Sequence, residues 1–223
     1  MRAALYWAPA LGDPLHRLGS EWLGRDAETG ATLRQPELPG VDMEELTREA
    51  RGYGLHGTLK PPFRLAQGYQ ALREDAARLA ARTAPFDLPP LAVTPHHGFL
   101  ALRETAPCPA LQAFADACVE AVDHHRIPPD EAEIARRRPE RMNEAERANL
   151  HRWGYPYVFA QWWFHVTLTR RLSDEEAALV RPAVESWLGT VAMQPRRITE
   201  LCLFTQAGPG APFLIGERLP LGG

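Results

Sequence analysis

A five-residue pattern that occurs twice in the chain constrains the fold more than any other feature of the sequence. LHGTL at residues 55–59 and FHVTL at residues 164–168 each read hydrophobic, His, any residue, Thr, hydrophobic. The two histidines, His56 and His165, lie 109 residues apart, about half of the 223-residue chain. Each copy is followed by a strongly helical stretch and then by further strand-like segments. We interpret the repeat as a duplication within one domain, 1–223, with approximate halves at 1–105 and 106–223.

The alternation within each copy predicts a β-strand with one chemically active face. Side chains two residues apart share a face of a strand. His56, Thr58 and Lys60 therefore lie on one face in the first copy, and His165 and Thr167 do so in the second. The residues between them are apolar or glycine and predict a face that packs under helices. A pseudo-two-fold arrangement of the halves would bring both His–Thr pairs into one cleft.

The rest of the chain alternates predicted strands with amphipathic helices, which indicates an α+β or mixed α/β fold. Asp42, Asp130, Asn143 and Ser173 are expected helix N-caps. The predicted strands cover residues 3–8, 55–60, 91–94, 99–102, 162–169, 198–205 and 212–218. The predicted helices cover residues 13–25, 42–54, 69–83, 109–125 and 173–188, with two short surface helices between 128 and 153.

Composition and missing motifs exclude several classes of protein. The chain has 25 basic and 28 acidic residues, and its net charge is -3. This charge disfavours binding of nucleic acid through overall electrostatic attraction. Three scattered cysteines argue against a disulfide framework or a thiolate zinc site. The sequence has no nucleophile elbow, P-loop, Gly-x-Gly-x-x-Gly or His-Glu-x-x-His motif. Because no 18-residue apolar run is present, we expect a cytoplasmic protein without a membrane partner.

Two His-x-Thr motifs, one in each half, are the mark of the 2H phosphoesterase superfamily, which this chain resembles. Longer segments are similar to a bacterial branch that is described as phosphonate-metabolism proteins and is often encoded near C-P lyase genes. The similarity spans nearly the whole chain. It rests on LYWAP at 5–9, WLGRDAETG at 22–30, YGLHGTLKPPF at 53–63, ARRR at 135–138 and WGYPYV at 153–158.

The resemblance implies a bilobal α+β fold, with two mainly antiparallel sheets and outer helices around a central cleft. It also implies hydrolysis of a cyclic phosphodiester without a metal or other cofactor. The candidate substrates are a ribose cyclic phosphate from phosphonate degradation and a nucleoside 2′,3′-cyclic phosphate. One imidazole would act as general base and the other as general acid, and their pseudo-symmetry leaves the two roles open.

The proposed chemistry assigns roles to the motif residues. His56 and His165 would exchange protons with the attacking and leaving oxygens. The hydroxyls of Thr58 and Thr167 would donate hydrogen bonds to the non-bridging phosphate oxygens. A pair of this kind predicts a bell-shaped pH dependence of catalytic efficiency, with both limbs between about pH 5 and 8.

Seven further residues are candidates for binding the substrate. Lys60 would reach a distal phosphate, and an arginine cluster with two nearby tyrosines would form a lid. Neighbouring glutamates can neutralise that cluster, so a solvated helix face is the alternative. The histidine pairs at 96–97 and 124–125 lack further ligand spacing, and we predict no metal site. The candidates are Tyr6, Lys60, Arg136, Arg138, Arg141, Tyr155 and Tyr157.

Two other functions remain open at this point. One is an RNA end-processing enzyme, a 2′,3′-cyclic phosphodiesterase or 2′,5′-ligase, because an RNA 3′ end needs only a local groove. The other is a non-catalytic module that binds a phosphorylated ligand in the same cleft. The expected partner in the leading hypothesis is a small phosphate-containing substrate, and the sequence leaves the oligomeric state undetermined.

Overall fold

The structure is a computed structural model that describes all 223 residues, in nine strands and seven α-helices. The strands are β1 (Arg2–Trp7), β2 (Gly57–Arg64), β3 (Phe86–Leu88), β4 (Leu91–His96), β5 (Phe99–Glu104), β6 (Val166–Thr167), β7 (Arg196–Ile198), β8 (Glu200–Gln206) and β9 (Leu214–Pro220). The helices are α1 (Pro14–Leu23), α2 (Met43–Tyr53), α3 (Tyr69–Arg82), α4 (Pro109–Val122), α5 (Glu131–Arg136), α6 (Glu144–Trp153) and α7 (Asp174–Ala192).

The strands form two antiparallel sheets, which confirms the expected α+β class. Seven strands are ordered β4-β5-β6-β2-β1-β8-β9, and β3 pairs with β7 in a separate two-stranded sheet. The large sheet narrows at its centre, where β2 and β6 share a single residue pair, Gly57 with Val166. These two residues are the middle positions of the two repeated motifs. The fold therefore joins the motifs side by side in the middle of the sheet.

The apolar residues of the motifs lie in the main hydrophobic core. Leu55, Leu59, Phe164, Val166 and Leu168 are all buried there, as the alternation predicts. Gly57 is part of this packing, because a Cβ at that position would come within 2.3 Å of the Phe164 ring. A larger residue would push the two motifs apart at the point where they pair.

Helix ends follow the predicted capping residues. The Asp42 side chain accepts a hydrogen bond from the Glu45 amide at the start of α2. Asp130, Asn143 and Ser173 each form a complete capping box, in which the third helical residue is a glutamate that bonds back to the cap. No helix in the structure combines the length and the apolar composition needed to cross a bilayer.

The predicted strand over 162–169 is wrong in extent, because β6 contains only two residues. Side-chain and irregular backbone hydrogen bonds replace the regular ladder on both sides of it. The Trp162 indole donates to the Thr58 carbonyl at 2.9 Å, and the Thr169 hydroxyl accepts from the Leu100 amide at 3.0 Å. His56 likewise lies one residue before β2.

Of the two ends that the sequence allows for β2, at Lys60 or beyond the prolines at 63–65, the structure has the second, since β2 continues through Pro61 and Pro62 to Arg64. The pairing with β1 shifts register between Ala3 and Leu5, opposite the prolines. Proline is tolerated at such irregularities because no amide hydrogen is needed there. The short strands β3 and β7 gave no signal in the sequence, since three residues are too few to show an alternation.

Candidate active site

The register between β2 and β6 places the two His–Thr pairs beside each other. Because the strands are antiparallel, extending the Gly57–Val166 pair by one residue in each direction sets His56 opposite Thr167 and Thr58 opposite His165. Side chains that face each other across such a pair have Cβ atoms roughly 5 Å apart, and diagonal neighbours lie about 7 Å apart. The two histidines are diagonal neighbours in this register.

Two adjoining cavities open on this part of the sheet and together form one cleft. The first, about 360 Å³, is lined by His56, Thr58 and Tyr6 among others. The second, about 620 Å³, is lined by His165, Trp163 and aromatic residues of the 153–163 segment. The two cavities share three lining residues, namely Glu49, Tyr155 and Thr167.

His56 lies in an aromatic cage that the end of α2 and strand β1 provide. Its ring stacks on Tyr6, with centroids 4.0 Å apart and an interplanar angle of 25°. Tyr53 lies 5.8 Å away on the other side and stacks in turn on Phe213. The chain reaches His56 through Gly54, the C-cap of α2, whose φ of 81° suits glycine. The cage fixes the orientation of the imidazole.

His165 has different neighbours. The Trp163 ring lies 4.2 Å from its ring centroid, and the His96 ring lies 5.9 Å away in a stacked arrangement. His96 is itself held against Trp163, with centroids 4.0 Å apart. Phe99 of β5 completes this side at 6.0 Å. The second histidine is therefore supported by the β4–β5 hairpin and not by a helix end.

Both histidines have the same tautomer, because each makes the same local hydrogen bond. Nδ1 of His56 lies 2.8 Å from the Gly54 carbonyl, and Nδ1 of His165 lies 3.3 Å from the Trp163 carbonyl. A carbonyl oxygen can only accept, so Nδ1 carries the hydrogen in each neutral ring. Nε2 is then the atom that can take up a proton, and this is the arrangement that acid–base catalysis requires.

Burial keeps both imidazoles neutral at pH 7. Desolvation lowers the pKa of His56 to about 4 against a weaker opposing effect of the Gly54 carbonyl. Desolvation also lowers the pKa of His165 to about 4, and positive charge on His56, His96 or Arg103 lowers it further. A positive charge on His56 therefore lowers the pKa of His165. These pKa values predict that the limbs expected between about pH 5 and 8 lie at lower pH in the free protein.

The predicted hydroxyl donors and Tyr6 are all in the cleft. Thr58 and Thr167 are partly exposed and line the His56 cavity. Tyr6 is the cross-strand partner of Thr58. Tyr6 is only 1% exposed, and burial raises its pKa well above the usual value. Tyr6 therefore supports His56 and Thr58 from behind.

Lys60 requires a correction, since it does not reach the cleft. Its side chain is 1% exposed, and Nζ forms an ion pair with Asp123 at 2.6 Å. The pairing of β1 with β2 shifts register between Leu5 and Tyr6, which lie opposite Lys60 and Thr58, so the strict alternation that would place Lys60 beside Thr58 is interrupted. Lys60 is a structural residue in this arrangement and not a ligand for a distal phosphate.

The arginine cluster is divided among three environments. Arg136 lines a separate cavity next to the cleft, while the exposed Arg138 and Arg141 line none of the cavities described here, which corrects the predicted lid. Arg137, a member of the same predicted cluster, lies over the Tyr155 ring at 4.8 Å and lines the cleft. Tyr155 and Tyr157 do line it, as expected.

Sequence reasoning missed several other cleft residues. Most of them belong to segments that carry no motif, and only the folded chain brings them to the histidines. Glu49 reaches both cavities from the exposed side of α2, where its position resembles that of any surface glutamate. Aromatic residues two or three positions before each histidine were the one available signal. The missed residues are Arg2, Glu49, Tyr53, Trp163, Arg170 and Arg171.

One side-chain group outside the cleft has the composition of a metal site. The ligand atoms of Asp75, His124 and His125 all lie within 4.8 Å of one another. Both histidines contact the same carboxylate oxygen of Asp75, at 2.9 and 2.7 Å, and Arg78 contacts the other oxygen. These hydrogen bonds already engage the carboxylate. None of the three residues lines the cleft, and we assign no catalytic role to them.

Comparison with known proteins gives a family match that covers most of the chain. Residues 58–214 match the family described as "Protein of unknown function (DUF1045)". The matched segment contains the second motif whole and begins inside the first.

Two curated relatives share the name ribose 1,5-bisphosphate phosphokinase PhnN. The protein from Janthinobacterium sp. (strain Marseille) is 36% identical over 231 residues, which cover 100% of this chain and 51% of the relative. The protein from Laribacter hongkongensis (strain HLHK9) is 35% identical over 224 residues, covering 96% of this chain and 50% of the relative. The chain thus spans about half the length of the curated relatives it matches.

Solved structures give distant likenesses that extend over the whole chain. TT0787 of Thermus thermophilus aligns with a TM-score of 0.49 and 16% identity, covering 100% of this chain and 99% of the other. E. coli LigT, crystallised with NADP+, aligns with a TM-score of 0.44 and 11% identity, covering 100% and 98%.

Proposed function

This chain belongs to the DUF1045 family, and we propose that it is a phosphoesterase that hydrolyses a cyclic phosphodiester with two histidines and without a metal. The observation that carries the proposal is the pairing of Gly57 with Val166, which sets both His–Thr motifs around one cleft. The repeated motifs and their resemblance to the 2H phosphoesterases point the same way.

The reaction balances with the residues of the cleft alone. A water molecule attacks phosphorus while Nε2 of one imidazole takes its proton. The bond between phosphorus and one ring oxygen breaks, and the imidazolium of the other histidine gives that oxygen a proton. The product is a phosphate monoester with a free hydroxyl. Positioned groups of this kind typically contribute about 10²- to 10⁴-fold each.

Negative charge develops on the non-bridging oxygens during the reaction. Hydrogen-bond donors on the sheet and on the wall of the cleft would stabilise it. The hydroxyls of Thr58 and Thr167 face this space from opposite strands. The guanidinium groups of Arg2 and Arg137 line the same cavity. Donors that are held in place before the reaction stabilise such charge better than water, which must reorient.

The low pKa values determine the protonation state of both histidines in the free protein. With both imidazoles near pKa 4, the free protein at pH 7 supplies the base in its active form and the acid in its inactive form. A bound phosphodiester anion raises the pKa of the nearer imidazole, because opposite charge favours the protonated form. Substrate binding and proton uptake are therefore coupled in this proposal.

For the substrate class, we propose a ribose cyclic phosphate or a nucleoside 2′,3′-cyclic phosphate. The curated relatives are named for ribose 1,5-bisphosphate, a phosphorylated ribose. The cleft also offers a phosphate site next to stacked aromatic side chains, which suits a sugar phosphate with or without a base. The place of the reaction in phosphonate degradation is part of the same proposal.

The test is turnover of a panel of cyclic phosphates by protein treated with EDTA, followed by ³¹P NMR. The panel contains ribose 1,2-cyclic phosphate, the four nucleoside 2′,3′-cyclic phosphates and an RNA with a 2′,3′-cyclic end. We expect conversion of a small cyclic phosphate to a monoester at a rate that EDTA leaves unchanged. Preference for the RNA would favour end processing, and binding without conversion would favour a ligand-binding module.

A further inference from the structure

A second cavity next to the cleft has a strongly basic lining. It encloses about 300 Å³ between β2, the 126–129 segment and α5. We call it the basic cavity. Five arginines and one glutamate contribute its charged groups, although the chain as a whole carries a net charge of -3. These residues are Arg2, Arg64, Arg126, Arg136, Arg137 and Glu133.

The basic cavity is continuous with the cleft on the His56 side. Arg2, Pro62 and Arg137 line both spaces. Arg2 is held in place by a 2.6 Å hydrogen bond from its Nε to the Gln206 side chain, and Arg137 by its contact with the Tyr155 ring. A molecule whose phosphodiester lies beside His56 can therefore extend into the basic cavity between these two arginines.

Arg126 supplies an unsatisfied donor at this site. Its side chain is 10% exposed, and Nε and one terminal nitrogen bond to both oxygens of Asp123. The other terminal nitrogen, Nη1, is buried and has no hydrogen-bond partner. A Cβ at Gly154, which also lines the cavity, would come within 3.1 Å of that nitrogen. The lack of a side chain at Gly154 lets the backbone pack closely against this buried cationic group.

The other cationic groups are only partly neutralised. Glu133 pairs with Arg64 at 2.7 Å, and Asp123 is shared between Arg126 and Lys60. Arg136 and Arg137 take part in no ion pair. Guanidinium groups that surround a small volume are the usual protein ligands of a phosphate, because their planar donors match its oxygens.

We propose that the basic cavity binds a second phosphate of the substrate, a terminal monoester on the side of the sugar away from the cyclic phosphodiester. This inference rests on the proposed function and extends it to the substrate class. The monoester dianion would accept a hydrogen bond from Nη1 of Arg126 and pair with Arg136 and Arg64. The substrate is then a ribose derivative with two phosphate groups, of which only one is cyclic.

Matched substrates test the proposal. Adenosine 2′,3′-cyclic phosphate is compared with its 5′-phosphorylated form, and ribose 1,2-cyclic phosphate with its 5-phosphorylated form. Charge-assisted hydrogen bonds from three arginines to the second phosphate should raise kcat/KM by about 10- to 100-fold for the phosphorylated member of a pair. Arg136→Gln and Arg64→Gln should each reduce that ratio several-fold and leave the unphosphorylated substrates unaffected. Arg82→Gln, on the exposed face of α3, is the matched surface control and should change neither.

Two outcomes of this assay would overturn the proposal. One is equal kcat/KM for both members of each pair. The other is an equal gain from a dinucleotide with a 2′,3′-cyclic end, whose only additional phosphate is an internal diester, since the cavity would then bind a nucleic-acid backbone.

Direct binding separates this inference from the proposed function. If no cyclic phosphate is converted, the proposed function fails, and calorimetry with ribose 5-phosphate decides about the cavity. Binding to the wild-type chain that is lost in the Arg64→Gln/Arg136→Gln double variant supports the phosphate site. Absence of binding to the wild-type chain, or undiminished binding to the double variant, contradicts it.

Discussion

The two halves of the cleft are alike at the backbone and different in their walls. Each histidine donates Nδ1–H to the carbonyl two residues earlier in the chain, and each is followed by a threonine that faces the same cleft. Around these groups, His56 is caged by tyrosines and phenylalanines, whereas His165 is packed by a tryptophan and a second histidine. The reacting atoms follow the pseudo-symmetry and their surroundings do not.

The position four residues after each histidine extends the comparison. Lys60 in the first copy and Thr169 in the second are both buried, and both make structural contacts. Lys60 pairs with Asp123, and the Thr169 hydroxyl joins the β5 amide of Leu100 to the Arg170 carbonyl. In each copy this position therefore makes structural contacts.

The largest expected effect comes from removing either histidine. His56→Ala and His165→Ala should each lower kcat/KM for a cyclic phosphate by about 10²-fold or more, because each removes a general acid or base. The double variant should lose much less than the product of the two single losses, since the pair acts as a unit. Circular dichroism and thermal unfolding confirm that each variant is folded. Near-wild-type activity in either single variant would show that only one of the two histidines contributes to catalysis.

The next effect concerns stability at the two buried positions. Lys60→Met should lower the free energy of unfolding by about 2 kcal/mol, because the partly buried carboxylate of Asp123 loses one of its two cationic partners. Thr169→Val, the matched change in the second copy, should cost about 1–2 kcal/mol through two lost hydrogen bonds. Urea unfolding measures both. If Lys60→Met left the stability unchanged and raised KM strongly, Lys60 would instead be a substrate-binding residue.

Stability should also depend on pH through both histidines. Their pKa values are lowered by folding, so the unfolded chain binds more protons between about pH 6.5 and 4. The free energy of unfolding should therefore fall as the pH decreases through this range. His56→Gln and His165→Gln should each reduce the loss between pH 7 and 5 by about 1–2 kcal/mol. An unchanged pH dependence in either variant would show that its imidazole has an ordinary pKa in the folded chain.

The smallest expected effect distinguishes the two aromatic walls. Tyr6→Phe keeps the ring that stacks on His56 but removes a buried hydroxyl from the strand position that pairs with Thr58, and should lower kcat/KM about 3- to 10-fold. Trp163→Phe keeps an aromatic neighbour for His165 and should change kcat/KM by no more than about 2-fold. A larger loss of kcat/KM in Trp163→Phe than in Tyr6→Phe would contradict the conclusion that the His56 side provides the more important support.

The sequence predicted the parts of this structure that depend on local pattern. Period-2 alternation located both motifs, and the caps at Asp42, Asp130, Asn143 and Ser173 located four helix starts. These features depend on the chemistry of residues that are close together in the chain. The α+β class followed from the same patterns.

What the sequence did not predict depends on contacts between distant segments. The burial of Lys60 requires Asp123, which is 63 residues away, and the two-residue length of β6 results from side-chain bonds such as that from Trp162 to β2. The presence of Glu49 in the cleft likewise depends on how α2 is placed against the sheet. No local pattern encodes these placements.

The pH dependence of turnover by EDTA-treated protein tests the central claim most directly, namely that the two histidines act as an acid–base pair. With both pKa values near 4, kcat/KM should fall steadily above about pH 5, while the corresponding limb of kcat should lie at higher pH because the bound anion raises the imidazole pKa. A rate that climbs through pH 9 without turning over, or one that returns only when zinc or manganese is added, would contradict the account.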